Sequence, residues 1–256
     1  MPTRKPGTDK EGRAWCFYGR AGSGKTTLAA SFPGPVLLLN IRDDGDDSVS
    51  DIKGLDVRDI ETWDDIEDTY WWLKQNPGKY KTVIWDTVTM AQLMVVEEIG
   101  GAKAAKAKKA VGDWGTMTKK DWGEVASRLK TWITNYRDLD MEVIFLAQDR
   151  LFNVSDDDEV VEEDLEPEMG PALSPAVMKH LCAAVSVVAN TTVRTTTKKR
   201  GLGKKAKEVE VTEYCLRLGP NASYITKFRK PKKVSLPDFL IDPTYENILE
   251  TIKGAT

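Results

Sequence analysis

The sequence predicts an α/β fold in which a mostly parallel central sheet is flanked by helices and gains antiparallel strands at its C-terminal side. Three observations support this prediction. A glycine-rich loop joins an apolar strand to a helix near the N-terminus, strand and helix patterns alternate as far as residue 150, and β-rich segments follow late in the chain. Alternating strands and helices are typical of a parallel sheet, whereas consecutive strands form antiparallel hairpins.

The composition is that of an ordinary globular chain. The 256 residues are 41% hydrophobic and 30% charged, which is typical of a soluble protein with a substantial core. We expect a flexible leader over residues 1–11 and a single domain over 12–256. No apolar run approaches the roughly 20 residues that cross a bilayer, and no signal peptide is recognisable. We therefore expect a cytoplasmic protein without a membrane partner.

The most informative segment runs over residues 19–26. It reads GRAGSGKT and matches the phosphate-binding pattern GxxxxGK[ST], the Walker A motif or P-loop, at every position. Its glycines let backbone N–H groups point at phosphates, Lys25 reaches the β and γ oxygens, and the Thr26 hydroxyl holds Mg²⁺. The motif predicts a nucleoside triphosphate with Mg²⁺, and the absence of an Asn-Lys-x-Asp run favours ATP over GTP. The predicted nucleotide-binding residues are Gly19, Arg20, Ala21, Gly22, Ser23, Gly24, Lys25, Thr26 and Thr27.

The P-loop has the setting that its function requires, between a strand over 14–18 and a helix over 26–32. Elsewhere, short apolar runs predict buried strands, and apolar residues at three- and four-residue spacing predict helices. On this basis we expect strands at 36–40, 82–86 and 141–147, and helices at 61–75, 90–99 and 119–139.

Asp86 ends the apolar strand at 82–86. Taken alone, such an Asp often only caps a turn. Because it follows the P-loop by roughly sixty residues, with strand and helix patterns between, it matches the Walker B pattern, whose carboxylate binds Mg²⁺ directly or through water. Thr26 and Asp86 are therefore the predicted metal ligands.

Beyond residue 150 the helical patterns give way to loops and strands. A long acidic stretch predicts a mobile loop, and two β-rich segments around a glycine-containing basic tip predict a hairpin. The expected elements are an acidic loop over 153–172, a helix over 175–182, β-rich segments over 183–195 and 208–218 joined by a basic hairpin over 196–208, a strand over 223–227 and a helix over 245–253.

The formal net charge of −3 hides a strong segregation of charge. Basic clusters at 103–109, 198–207 and 227–233 contrast with an acidic stretch at 156–168. The lysines of 103–109 can share one helix face, and the ordinary role of such a run is a solvated surface. Net charge therefore does not exclude nucleic acid as a partner.

This arrangement resembles the RecA-like recombination ATPases, and most closely the compact RecA-like proteins of bacteriophages that act in single-strand annealing and recombination. The resemblance covers residues 12–253 and rests on the Walker A motif, on Asp86 and on Gln148 at a strand end. It implies a RecA-like P-loop NTPase core. It also implies that Gln148 senses the γ-phosphate, and that Lys227 and Arg229 of a Lys-Phe-Arg run reach the ATP of a neighbouring subunit.

By the same resemblance, the chain forms a homo-oligomeric ring or filament on single-stranded DNA. A single-strand-binding or other replication protein would be a further partner. If a phage encodes the chain, the expected compartment is the host cytoplasm. The DNA-binding loops would follow Asp86 and Gln148. The first contains the lysine run, but the second is acidic here, which leaves the basic hairpin as an equal candidate. The candidate DNA-binding residues are Lys103, Lys106, Lys108, Lys109, Lys198, Lys199, Arg200, Lys204 and Lys205.

The sequence departs from that family in the residue that activates water. RecA-like enzymes usually carry a Glu after the second strand, whereas the matching stretch 40–44 reads Asn-Ile-Arg-Asp-Asp. Asp43 or Asp44 could act as the base, although the shorter side chain requires a displaced backbone or an intervening water. Slow turnover, or binding without turnover, is compatible with this stretch. The predicted catalytic residues are Lys25, Thr26, Asp86, Gln148, Asp43, Asp44, Lys227 and Arg229.

Three functions are compatible with these motifs. The first is an ATPase that binds single-stranded DNA, promotes annealing or homologous recombination, and hydrolyses ATP slowly or in response to DNA. The second is an ATP-binding switch that docks a replication or packaging protein through the acidic loop, without acting on DNA. The third is a kinase of small metabolites, which the lack of an arginine-rich lid and the late antiparallel strands disfavour.

Overall fold

The computed structural model describes residues 12–42, 45–106, 117–152, 168–200, 207–230 and 233–253. Among the helices of these ranges, none is long and apolar enough to cross a membrane. The helices are α1 Lys25–Ala30, α2 Trp63–Gln75, α3 Val88–Lys106, α4 Lys119–Arg137, α5 Pro175–Ala184 and α6 Tyr245–Lys253, with a 3₁₀ helix at Gly45–Val49. The strands are β1 Ala14–Tyr18, β2 Val36–Ile41, β3 Leu55–Ile60, β4 Thr82–Asp86, β5 Glu142–Ala147, β6 Asp149–Phe152, β7 Glu168–Pro171, β8 Val187–Arg200, β9 Lys207–Arg217, β10 Lys227–Phe228 and β11 Phe239–Ile241.

One large sheet organises the chain. Its strand order is β11-β9-β8-β1-β5-β4-β2-β3, and β10 pairs with β8. The strands from β8 to β3 run parallel to one another. The later strands β9, β10 and β11 are antiparallel to their neighbours. The predicted α/β fold class is therefore confirmed, with a mostly parallel sheet flanked by helices and antiparallel strands at the C-terminal side.

Apolar side chains cover both faces of the sheet. Helices α2 to α5 pack on the face that includes Trp85 and Phe145. Helices α1 and α6 pack on the opposite face, which includes Trp15 and Leu38. The inner parallel strands are thus buried on both sides, which explains why they read as continuous apolar runs in the sequence. Burial of each such large side chain stabilises the fold by about 1.5–3 kcal/mol.

The parallel strands bring their carboxyl ends to one edge of the sheet. Strand pairing places Tyr18 beside Ala147, and Leu146 beside Asp86. Because β5 lies between β1 and β4, the segment that begins at Gln148 emerges between the P-loop and Asp86. Open α/β sheets bind their ligands at this kind of edge.

Strands β3, β6, β7 and β11 were not predicted from the sequence. Strand β3 reads LDVRDI and is mostly solvent-accessible, as befits an edge strand without an apolar run. Strands β6 and β7 form a separate antiparallel pair. Residues 168–171 are therefore a strand, and their assignment to the acidic loop 153–172 was wrong. Residues 153–167 of that loop and the leader 1–11 lie outside the described residues.

Two other predicted elements have different bounds in the structure. The helix expected over 90–99 continues to Lys106, because the alanines and lysines of this stretch are good helix formers. The strand expected over 223–227 was wrong in most of its length. Only Lys227–Phe228 forms strand β10, and Tyr224 makes an isolated bridge to Met169.

Helix α4 begins with a capping box that also fixes a lysine of α3. The Thr118 hydroxyl accepts from the Asp121 N–H, and the Asp121 carboxylate accepts from the Thr118 N–H at 2.6 Å. Lys103 forms a salt bridge with the same carboxylate. The Lys103 hydrogen bond, followed by those from Thr118, lowers the pKa of Asp121 from 3.8 to about 2.

Replacing Asp121 by Asn should lower stability at neutral pH and flatten its dependence on acid. A carboxyl whose pKa is depressed by folding stabilises the protein above pH 3.8, and this contribution is lost as the pH falls through about 2. Urea denaturation between pH 2 and pH 7 measures both effects. The exposed Asp64→Asn variant serves as the control. If Asp121→Asn lost stability in acid as steeply as the wild type, the depressed pKa of Asp121 would not be a source of that stability.

Candidate functional site

The P-loop has a backbone that requires its glycines. Gly22 and Gly24 have φ angles of 73° and 83°, in the left-handed region that glycine adopts without a steric penalty. Gly24 is the N-cap of α1. A Cβ atom at Gly19 would lie only 2.3 Å from the backbone oxygen of Thr191 on β8. The loop therefore has the curled shape that points backbone N–H groups toward a bound phosphate.

The side chains of the P-loop are held by hydrogen bonds inside the site. The Lys25 Nζ donates to the backbone oxygens of Gly19 at 2.8 Å and Arg20 at 2.9 Å. The Ser23 Oγ lies 2.7 Å from the Thr191 Oγ1. Lys25 is thus positioned over the loop, within reach of phosphate oxygens, and Ser23 ties the loop to strand β8.

Thr26 and Asp86, the two predicted metal ligands, contact each other at the end of β4. The Thr26 Oγ1 donates to the Asp86 Oδ2 at 2.7 Å, and Asp86 is 4% exposed. A hydroxyl and a carboxylate oxygen this close fit Mg²⁺, which takes oxygen ligands from one or two protein groups, from phosphates and from water. The pair would hold Mg²⁺ against the β- and γ-phosphates of a bound nucleotide.

A pocket of about 660 Å³ opens beside the P-loop. This volume lies within the usual range of small-molecule sites. The P-loop and the start of α1 contribute residues 21–28 to its lining, which includes Thr27. The remaining lining residues are Gly45, Asp47, Ser48, Asp86, Thr87, Gln148, Thr191, Tyr214, Cys215 and residues 242–244.

Gln148 lines the pocket, and its contact with the γ-phosphate stays a prediction. It directly follows β5 and lines the pocket together with Asp86. Its backbone N–H donates to the Thr89 Oγ1 at 3.1 Å, and its backbone oxygen accepts from the Ala172 N–H at 2.8 Å. Gln148 thereby connects the phosphate end of the pocket to the segment that follows β7.

Tyr214 on β9 is one of the pocket residues that sequence reasoning missed. A Cβ atom on Gly24 would lie 3.1 Å from the Tyr214 Cδ1, so the ring lies against the P-loop. The side chain is 44% exposed. Its backbone oxygen accepts from the Asp242 N–H at 2.7 Å, which ties the pocket wall at 242–244 to β9. An exposed ring here can contact the nucleoside. Only the pairing of distant strands reveals it, since roughly 190 residues separate Tyr214 from Gly24.

Replacing Tyr214 by Ala should weaken ATP binding about tenfold, because stacking of one base on an aromatic ring contributes roughly 1–3 kcal/mol. Titration with a fluorescent ATP analogue measures the dissociation constant. Tyr214→Phe keeps the ring and should bind nearly as tightly as the wild type. An unchanged dissociation constant in Tyr214→Ala would show that the ring does not contact the nucleoside.

Not all of the carboxylates that could activate water belong to the described part of the chain. Asp43 and Asp44 lie outside the described residues. The 3₁₀ helix after β2 brings a further carboxylate, that of Asp47, to the pocket wall. The sequence reasoning did not include Asp47, because the stretch contains four aspartates around a glycine and nothing in the pattern distinguishes them.

Lys227 and Arg229 lie at the C-terminal end of α5. The Lys227 Nζ donates to the backbone oxygens of Cys182, Ala183 and Val185 at 2.7, 2.9 and 2.8 Å. The Arg229 Nη2 donates to the Ala183 oxygen at 3.2 Å. Burial lowers the pKa of Lys227, and the charge of Arg229 lowers it further. Neither residue lines the pocket of its own chain, and contact with a neighbour's ATP stays a prediction that would require Lys227 to leave these carbonyls.

Replacing Lys227 by Met should destabilise the fold by about 2 kcal/mol, because three carbonyl groups at a helix C-terminus lose a charged donor. The free energy of unfolding in urea measures the effect, and Lys74→Met at the exposed end of α2 is the control. Unchanged stability with loss of assembly would instead favour the contact between subunits.

The candidate DNA-binding residues are placed differently from one another. Lys103 is held by Asp121, whereas Lys106 is exposed at the end of α3. Lys198 lies on β8 and forms a salt bridge of 2.7 Å with Glu213. Lys199 and Arg200 belong to β8 by their backbone. Lys108, Lys109, Lys204 and Lys205 lie outside the described residues.

One family of known sequences matches most of the chain. The sequence model of the AAA domain family AAA_24 matches residues 11–230, which include the P-loop, Asp86 and Gln148. No curated protein matches the chain. Among solved structures, the crystal structure of the KaiC-like protein PH0186 from the hyperthermophilic archaeon Pyrococcus horikoshii OT3 is similar. It is 11% identical over 91% of this chain and 90% of that chain, with a TM-score of 0.43.

Proposed function

The chain belongs to the AAA domain family, and from this premise we propose that it is an ATPase whose bound nucleotide controls its affinity for single-stranded DNA. The observation that carries the nucleotide part is the junction of Lys25, Thr26 and Asp86 in one pocket. The proposed role is annealing or homologous recombination, as in the RecA-like phage proteins that the sequence resembles.

In the proposed reaction, each residue acts on the phosphates or on water. The P-loop N–H groups and Lys25 hold the β- and γ-phosphates, and Thr26 and Asp86 hold the metal. Mg²⁺, when bound, neutralises charge on the transferring phosphoryl group. Gln148 lines the same pocket as Asp86 and can contact the γ-phosphate or the attacking water. A carboxylate after β2, from Asp43, Asp44 or Asp47, orients that water.

The DNA part of the proposal is supported by charge and by the sequence resemblance. The described chain carries exposed cations on α3 and on β8, both of which lead away from the pocket. Such cations bind a phosphate backbone without reading its sequence. We further propose a homo-oligomer, a ring or a filament, with ATP at its subunit interfaces and a single-strand-binding or other replication protein as a partner.

Binding of labelled oligothymidine in the presence of ATP, ADP or no nucleotide tests the coupling. With Mg²⁺, affinity in ATP should exceed that in ADP by 5-fold or more, within the usual range of coupling free energies. Lys25→Ala should bind equally in all three states. Nucleotide binding without any DNA affinity would refute this function and favour a switch that docks a protein partner.

A further inference from the structure

Strands β8 and β9 extend well beyond the rest of the sheet. Strand β8 pairs with β1 only over Val187–Asn190, whereas its pairing with β9 continues to Arg200 and Lys207. Residues 191–200 and 207–216 therefore form a two-stranded ribbon, which we call the ribbon. At about 3.3 Å per residue, it is roughly 30 Å long. Its far end, Arg200 and Lys207, belongs to the segment 196–208 that the sequence predicts as a basic hairpin.

The ribbon has two different faces, because directly opposed residues of an antiparallel pair point to the same side. Arg194 pairs with Glu213, and Lys198 pairs with Val209. Arg217 pairs with Asn190 at the base of the ribbon and belongs to the same side. We call Arg194, Lys198 and Arg217 the basic face.

The opposite face carries the acidic side chains of β9. Glu208 and Glu210 alternate with the residues that share a side with Glu213, so they point away from the basic face. Tyr214 shares their side and reaches the nucleotide pocket. Arg194 and Lys198 therefore lie on the face opposite to Glu208 and Glu210.

The basic face keeps an excess of positive charge. Arg194 and Lys198 both bind the buried carboxylate of Glu213, at 2.8 and 2.7 Å, so two cations share one acid. These two residues, Lys198 foremost, lower the pKa of Glu213, which therefore stays ionised at neutral pH. Both cations are more than 40% exposed in their side chains, so they can contact a ligand while they remain bound to Glu213.

Arg217 adds a third cation between two aromatic rings. Its guanidinium lies 4.2 Å from the ring centre of Tyr224 and 4.4 Å from that of Phe239. Among the described residues no acidic partner forms a salt bridge with it, and its Nε is buried without a hydrogen-bond partner. An arginine with this surrounding is fixed in place by stacking and keeps its charge available.

We infer that the basic face binds the backbone of single-stranded nucleic acid, an inference that rests on the proposed function and gives it a location. Arg194 and Lys198 bind the two oxygens of one carboxylate, so their charged groups lie close enough together to contact neighbouring phosphates of one strand. Tyr224 and Phe239 place aromatic rings at one end of the basic face, the combination of cations and rings by which proteins hold single strands.

The ribbon also links this surface to the nucleotide. The Thr191 Oγ1 of β8 lies 2.7 Å from the Ser23 Oγ of the P-loop, and Tyr214 of β9 lines the pocket. The same two strands thus contact the nucleotide site on one side and carry the basic face on the other. A conformational change at the nucleotide pocket can therefore reach the basic face through these two strands alone. Nucleotide binding would then change the affinity for nucleic acid by the same factor as nucleic acid binding changes the affinity for nucleotide.

The test measures binding to a labelled oligothymidine of about 30 nucleotides by fluorescence anisotropy, across a series of KCl concentrations. Lys198→Gln and Arg217→Gln should each weaken binding about 3- to 10-fold at 0.1 M salt, and should each reduce the slope of log affinity against log salt by about 0.7. Glu210→Gln, on the opposite face, and Lys74→Gln, on the exposed side of α2, should leave the slope unchanged, and Lys106→Gln tests the alternative cation on α3. Binding of a fluorescent ATP analogue shows that each variant remains folded.

The outcomes separate this inference from the proposed function. Wild-type affinity in Lys198→Gln and Arg217→Gln together with a loss in Lys106→Gln would overturn the basic face and leave DNA binding intact. A wild-type protein that binds ATP but no oligothymidine would overturn both. Retention on polyglutamate that depends on Lys198, without oligothymidine binding, would assign the face to an acidic protein instead and equally overturn the inference.

Discussion

An Asp86→Asn variant should hydrolyse ATP at least about 100-fold more slowly than the wild type, which corresponds to about 2.7 kcal/mol of lost transition-state stabilisation. Asp86 is almost fully buried and lies 2.7 Å from the Thr26 hydroxyl. Asn keeps the shape and one oxygen but loses the negative charge that attracts Mg²⁺. Because Asn can still hydrogen-bond to Thr26, we expect the fold to be retained.

Steady-state hydrolysis over a range of Mg²⁺ concentrations measures this effect. The apparent affinity for Mg²⁺ should fall together with the turnover rate. Asp64→Asn, on the exposed side of α2, removes the same charge elsewhere and should behave as the wild type. A rate near that of the wild type at saturating Mg²⁺ would show that Asp86 is not a metal ligand.

Replacing Lys25 by Ala should abolish measurable hydrolysis, with a loss of at least about 100-fold. The ammonium that now donates to the backbone oxygens of Gly19 and Arg20 is the only charge of the P-loop placed to follow the γ-phosphate into the transition state. Arg20 belongs to the same loop, but it does not line the pocket.

Parallel measurements of ATP binding and turnover show where the Lys25 effect arises. A larger loss in turnover than in binding indicates an interaction that is strongest in the transition state. Lys74→Ala is the control, since Lys74 is exposed on α2 far along the sequence from the loop. Substantial turnover in Lys25→Ala would mean that the pocket beside the P-loop is not the hydrolytic site.

The phosphate end of the site was predictable because it depends on local sequence and on one property of parallel sheets. The P-loop is a continuous motif whose glycines are required by the backbone, as Gly22 and Gly24 confirm. Asp86 ends one apolar strand and Gln148 follows another, and the carboxyl ends of parallel strands lie at one edge. Their position beside the P-loop could therefore be inferred without knowing the packing of any helix.

The nucleoside end of the pocket was not predictable for the opposite reason. Tyr214 and the wall at 242–244 reach the P-loop only because β8 pairs with β1, and β9 with β8 and β11. No local pattern marks these residues, and the register of three strand pairs decides which side chains face the pocket. The role of Asp47 depends in the same way on the turn after β2.

Lys227 makes contacts in the structure that its sequence motif did not predict. Its Lys-Phe-Arg run suggested a contact with a neighbour's ATP, but in the single chain the ammonium caps α5 through three carbonyls. Pattern alone could not reveal this, because residues 182–185 are more than forty positions away in sequence. That Arg194 and Lys198 share one face of the ribbon likewise follows only from the pairing of β8 and β9.

The most direct test of the account is ATP hydrolysis by the purified protein with Mg²⁺, measured with and without single-stranded DNA, and with Lys25→Ala as the blank. We predict slow hydrolysis that rises several-fold with DNA and is absent from the blank. Hydrolysis or nucleotide binding that DNA does not change would contradict the claim that the nucleotide site and a DNA surface are coupled in this chain.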